Sequence, residues 1–173
     1  GIGVPILLGN KETILALKKE LGFEADVLII DPKSKEQEAL CNQFSEAYWK
    51  LRQRKGITML DAQKLMQERN YFAAMMVNEG LADTLVTGYS RSYPKVVKPL
   101  IEVIGKAEGV KRVSSTNLMS TQRGPMFLAD TAINKNPTGE QIAEIALKTA
   151  NTARVFGIEP VIAMVSYSNF GST

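Results

Sequence analysis

Two short loops hold most of the residues whose types and spacing suit chemistry: Gly88-Tyr89-Ser90-Arg91-Ser92-Tyr93 and Ser166-Tyr167-Ser168-Asn169-Phe170-Gly171-Ser172. Each follows a short apolar run and combines hydroxyls with backbone N–H groups that glycine leaves free, and the first adds the guanidinium of Arg91. Such a set suits a phosphate or an acyl oxygen, because clustered N–H donors and a forked cation match an anion's oxygens. The same residues also build surface turns in which Ser and Asn cap helices. One such loop alone reads as a turn; the pair leaves both readings open. Elsewhere, Arg52, Arg54 and Lys55 gather at a helix end, where positive charge complements the helix dipole by about 0.3–1 kcal/mol. Lys98 lies on a helix close to the first loop. Asp130 closes an apolar strand, a place that favours capping a turn, and Arg123 sits in a turn with no role.

What the chain lacks narrows the chemistry further. It has no histidine and one cysteine, Cys41, in 173 residues. Ser-His-Asp and Cys-His catalysis and histidine-ligated metal sites are thereby excluded within it. Cys41 has no intrachain partner, which predicts a reducing, cytoplasmic setting, and no histidine activates it, so it reads as a helix residue beside the core. Gly1-Ile2-Gly3 lacks the third glycine of a dinucleotide-binding turn, and no phosphate loop of the Walker type occurs. The formal charge of +3 is spread along the chain without interleaved aromatics, which points to a small anionic ligand and away from nucleic acid. The longest apolar runs, 27–30 and 161–165, are far short of a membrane span. The abrupt start and finish predict a piece of something longer.

The elements that must position these residues alternate between strand and helix. Val4 to Leu8 reads as a strand closed by Gly9-Asn10, and 11–21 as a helix with Gly22 at its end. Ala25 to Asp31 is a continuous apolar run of the kind found in a central parallel strand. Glu36 to Arg54 is a long helix in which Tyr48 and Trp49 are core or interface residues. Thr58 is placed to cap the next helix with Asp61 three positions on. Tyr71 to Asn78 is nearly all apolar, hence a buried helix. Thr84 to Thr87 reads as a strand, with the 88–94 loop at its carboxyl end, where ligands of open α/β sheets bind. Lys95 to Ile104 is the following helix. Beyond Gly109 the pattern changes to a hairpin, 110–118 with 125–130, then a helix over 140–156 and a strand over 161–165. The predicted class is α/β, three layers with a mostly parallel sheet, in two subdomains, 1–107 and 108–173.

Taken in order, Pro5-Ile6-Leu7-Leu8-Gly9, Ile29-Ile30-Asp31-Pro32, Leu51-Arg52-Gln53-Arg54-Lys55-Gly56, Tyr71-Phe72-Ala73-Ala74-Met75-Met76, Ala82-Asp83-Thr84-Leu85-Val86-Thr87-Gly88, Phe127-Leu128-Ala129-Asp130-Thr131 and Met164-Val165-Ser166-Tyr167-Ser168 resemble the phosphotransacetylase family. The resemblance spans nearly the whole chain. It implies domains about twice this length, so both subdomains here would be incomplete. Family members move acetyl between CoA and phosphate with a Ser-Arg pair and an aspartate near the C-terminus; none of these falls in this chain, so no catalytic residue is assigned and the fragment itself is expected to be inactive. One CoA-binding arginine of the family falls on Arg52 and a second on Lys98, where lysine keeps the charge but loses the bidentate fork.

Two departures, the missing loop histidine and Asn169-Phe170, are similar to the phosphotransacetylase-like domain of large bacterial NADP-dependent malic enzymes. That likeness implies a regulatory acetyl-CoA site built from Arg52, Ser90, Arg91, Lys98, Ser166, Ser168 and Asn169. NADP and a divalent metal would belong to an upstream part of such a protein, which decarboxylates malate to pyruvate. The alternatives are a truncated phosphate acetyltransferase and a dimerisation module. Partners are expected to be a small ligand and further copies of the chain, as a homodimer or higher oligomer, with neither nucleic acid nor membrane.

Overall fold

The structure, a computed structural model, describes residues 3–165. The chain divides into two compact units, Gly1–Gly105 and Lys106–Thr173, two residues upstream of the boundary expected from sequence. In the first, β1 (Ile6–Leu8) pairs in parallel with β2 (Leu28–Ile30), with Ile6 opposite Leu28 and Leu8 opposite Ile30. Between them runs α1 (Lys11–Glu20), whose first turn is capped by Asn10 accepting from the Thr13 amide at 2.9 Å.

Four helices follow: α2 (Glu38–Arg52), α3 (Met59–Met66), α4 (Arg69–Asn78) and α5 (Tyr93–Val103). A single 3₁₀ turn, Gln53–Lys55, ends α2, and Gly56 turns the chain at φ +85°, a left-handed conformation that glycine adopts without a Cβ clash. Two residues on, Thr58 caps α3 with the expected reciprocal pair: its hydroxyl accepts from the Asp61 amide while Asp61 accepts from the Thr58 amide. α4 is the pillar of this unit. Asn70, Tyr71, Phe72, Ala73, Ala74, Met75 and Met76 are all buried in it, as expected for a helix enclosed on every side. Phe72 meets Phe44 of α2 edge-on at 5.1 Å, and Tyr71 meets Tyr48 likewise at 5.6 Å. Met66, Met75 and Val103 complete the core.

In the second unit β3 (Thr116–Thr121) and β4 (Gly124–Ala129) form an antiparallel hairpin, with Thr121 opposite Gly124. The last described helix, α6 (Gly139–Val155), starts with a second capping box, Thr138 with Gln141, and buries Ile145, Ala150 and Ala153. Phe156 beyond it packs against Phe127 of β4 at 5.6 Å.

The chain is therefore α/β, but its sheets are smaller than expected. Among the described residues the ladders are one parallel and one antiparallel pair, so only part of the expected mostly parallel sheet is formed by them. Thr84 to Thr87 and 161–165, both read as strands, belong to no ladder. The reason is that an apolar run forms a strand only where a neighbouring strand offers backbone partners. Val86, 91% exposed, has no such neighbour. The antiparallel hairpin also begins later than predicted, at Thr116.

Candidate functional site

Two groups of the predicted ligand residues fall in the first unit. Ser90 and Arg91 lie at one end of an open cleft of about 810 Å³, bordered by 3–8 and 81–88 and by Arg69, Asn70, Ala73 and Met76 of α4. Asn70 positions this end. It is buried, its Nδ2 donates to the Lys95 carbonyl at 3.2 Å, and its Oδ1 accepts from the Thr87 hydroxyl at 2.9 Å. The loop before α5 is thus tied to α4 from both sides. Arg91 is not a free cation there: its Nη1 lies 2.9 Å from the Glu68 carboxylate, itself the N-cap of α4. The second loop residues named from sequence, Ser166, Ser168 and Asn169, lie outside the described residues.

The other group sits where α2 meets α5. Arg52 closes α2, and its Nη2 lies 3.4 Å from Oε1 of Glu102 on α5. The second oxygen of Glu102 accepts from two phenols, Tyr71 at 2.6 Å and Tyr48 at 3.0 Å. Burial, and then the hydrogen bond to Glu102, push the Tyr48 hydroxyl up to about 12, and the same causes raise Tyr71 further. Both phenols therefore stay protonated donors at neutral pH. The Arg52 Nε is enclosed and donates to no described atom, at a cost of about 1–3 kcal/mol. Lys98 lies four residues before Glu102 on α5, the spacing of neighbours on one helix face, and is exposed. Arg52 thus meets α5, the helix that carries Lys98, with 26% of its side chain still open to solvent. That surface offers a forked cation and an ammonium to an anion such as a phosphate ester.

Sequence reasoning missed Glu102, Glu68 and Asn70. For Glu102 the signal was present, a polar side chain inside an apolar helical stretch, and for Asn70 its place at the head of the apolar run 71–77, where burial demands partners; Glu68, in the polar run 67–70, gave none. Cys41 stands as expected, a partly buried helix residue whose thiol donates to the Pro32 carbonyl at 3.1 Å and is raised by burial. Asp130 caps a turn, as read. It accepts from the Ser115 amide and hydroxyl, from the Ala132, Ile133 and Asn134 amides and from Asn134 Nδ2. Burial pushes its carboxyl up, but these donors outweigh burial and hold it well below the ordinary carboxylate range.

The fold is that of an α/β protein of the phosphotransacetylase type. Among solved structures, a phosphotransacetylase from Streptococcus pyogenes superimposes with a TM-score of 0.78 at 38% identity over 98% of this chain and 51% of that one. The EutD phosphotransacetylase from Staphylococcus aureus gives 0.79 at 33% identity over the same shares. Residues 1–173 match the family described as Phosphate acetyl/butaryl transferase, and the chain belongs to that family. Among curated relatives, the phosphate acetyltransferase of Bacillus subtilis is 41% identical over 97% of this chain and 51% of its own length. The NADP-dependent malic enzyme of Haemophilus influenzae is 36% identical over 100% of this chain and 23% of its own. The chain spans about half the length of the shorter relatives and about a quarter of the longer ones. Among the described residues no helix is long and apolar enough to cross a membrane.

Proposed function

We propose that the chain is the acetyl-CoA-binding part of an NADP-dependent malic enzyme of the cytoplasm, in which acetyl-CoA is an effector that sets the rate of malate decarboxylation. The observation that carries the CoA reading is the seam between α2 and α5, where Arg52 is held by Glu102 beside Lys98. CoA carries a diphosphate and a 3′-phosphate, and a forked guanidinium with an exposed ammonium suits such groups. Ser90 and Arg91 would contact the ligand from the loop before α5, and Ser166, Ser168 and Asn169 from the later loop. The malic reading draws on the relatives of that name, which cover the whole chain, and on the loops that lack the histidine and carry Asn169-Phe170.

No step of malate chemistry is assigned to these residues. Among the described residues no group of three His, Cys, Asp or Glu could hold a metal, so they do not fit the divalent ion of that reaction. No dinucleotide-binding turn accommodates NADP. An effector must bind two global states unequally, since equal affinity shifts nothing. In the full-length protein, Arg52→Ala is expected to raise the acetyl-CoA concentration for half-maximal effect on malate-dependent NADP reduction by about one to two decades. That follows from losing a charge-assisted contact of roughly 1.5–3 kcal/mol. Coincident effector curves would overturn the site.

A second reading, phosphate acetyltransferase, is favoured by the 41% identity to the Bacillus subtilis enzyme. Conversion of acetyl-CoA and phosphate to acetyl phosphate by the same protein, measured beside malate oxidation, separates the two.

A further inference from the structure

We infer that Glu102 is a positioning residue for ligand recognition: it sets the Arg52 guanidinium in the orientation that grips a CoA phosphate. The proposal rests on the CoA reading of the seam, and goes beyond it by giving a role to a carboxylate that, on charge alone, ought to repel the ligand. Glu102 lies 3.4 Å from Arg52 and four residues along α5 from Lys98, the two cations proposed to receive an anion. By Coulomb's law a negative charge there weakens anion binding, so its presence calls for an offsetting purpose.

The geometry supplies one. Oε2 is fixed by Tyr71 at 2.6 Å and Tyr48 at 3.0 Å, phenols on two different helices, which leaves Oε1 pointing at Arg52 Nη2. The carboxylate is therefore anchored independently of the arginine and acts as a template for it. The enclosed Arg52 Nε, which has no partner among the described residues, fits the same picture: the side chain is kept in this rotamer at the expense of one donor. With Nη2 bound and Nε enclosed, Nη1 is the end left for a ligand. An arginine whose rotamer freedom is already removed loses less entropy on binding.

Charge and geometry predict opposite signs for one substitution. In the full-length protein, CoA binding is measured by calorimetry for Glu102→Gln, Tyr71→Phe, Arg52→Ala and Arg52→Ala/Glu102→Gln, with far-UV circular dichroism as a check on folding. Positioning predicts that Glu102→Gln weakens CoA binding on the order of tenfold, although it removes a repelling charge. It also predicts that Tyr71→Phe, which keeps the charge but frees the carboxylate, weakens it to a smaller extent. In the Arg52→Ala background Glu102→Gln then has no further effect, a result that a merely structural role would not produce. Should Glu102→Gln unfold the protein, Tyr71→Phe decides alone: unchanged affinity overturns the proposal. Tighter or unchanged binding in a folded Glu102→Gln, with Arg52→Ala still weak, overturns the positioning role and leaves the CoA site standing. Unchanged binding in Arg52→Ala overturns both.

Discussion

At the scale of single residues, polar side chains that gather several hydrogen-bond partners do the arranging. Asp130 shows this most fully in the second unit, where Ser115, Asn134 and the amides of the turn converge on one carboxylate. Its carboxyl is held below the ordinary value of 3.8, so the folded state binds its proton more weakly than the unfolded chain does. The stability it contributes is complete above the ordinary carboxylate range and is lost as pH falls below that range through the depressed folded value. Asp130→Ala is expected to lower unfolding stability at neutral pH by about 1–2 kcal/mol, discounted because the site is partly open to water. The difference between wild type and variant should shrink on acidification, as followed by urea unfolding at pH 7 and in steps below pH 4. A gap that is constant with pH would show that the carboxylate's charge is not what the turn uses. That Asp130 caps a turn was legible from its place after an apolar strand. Its partner Ser115, fifteen residues away across the hairpin, was not.

Among the elements, α4 carries the most weight, because it is enclosed by α2, α3 and α5 and places Glu68, Asn70 and Tyr71 at both candidate ligand surfaces. Phe72 is fully buried against Phe44. Phe72→Ala is expected to cost about 3–5 kcal/mol, the transfer term plus the cavity left among rigid neighbours. Chemical denaturation checks the value, and a loss below 1 kcal/mol would mean that the helix collapses into the gap. The apolar run over 71–78 made this helix readable in advance, and the Thr58–Asp61 capping pattern did the same for α3. Strands were less readable. β2 was placed within 25–31 but is only three residues long, and the extended 84–87 segment forms no ladder.

For the whole molecule, the exposed apolar surface decides behaviour in solution. In the first unit the free edge of β1, Leu28 at 56% exposure and Val86 at 91% are open to water. Unpaired strand edges and apolar surface of this kind draw in other chains. The 173-residue chain is expected to self-associate, with sedimentation velocity at high micromolar concentration giving species larger than the monomer. A single monomer boundary across the concentration range would count against it. The α/β class, the order of helices, the α3 capping box and the family were all contained in the sequence, because amphipathic period, caps and collinear motifs depend on neighbours along the chain. Which cations are free and which are held was decided only in three dimensions. Arg52 meets a carboxylate fifty residues away, and Arg91 one from the preceding helix, because packing α2, α4 and α5 around one core closes those distances. No local spacing records contacts of that range. For the same reason the length of each strand was settled by whether a partner backbone came alongside it.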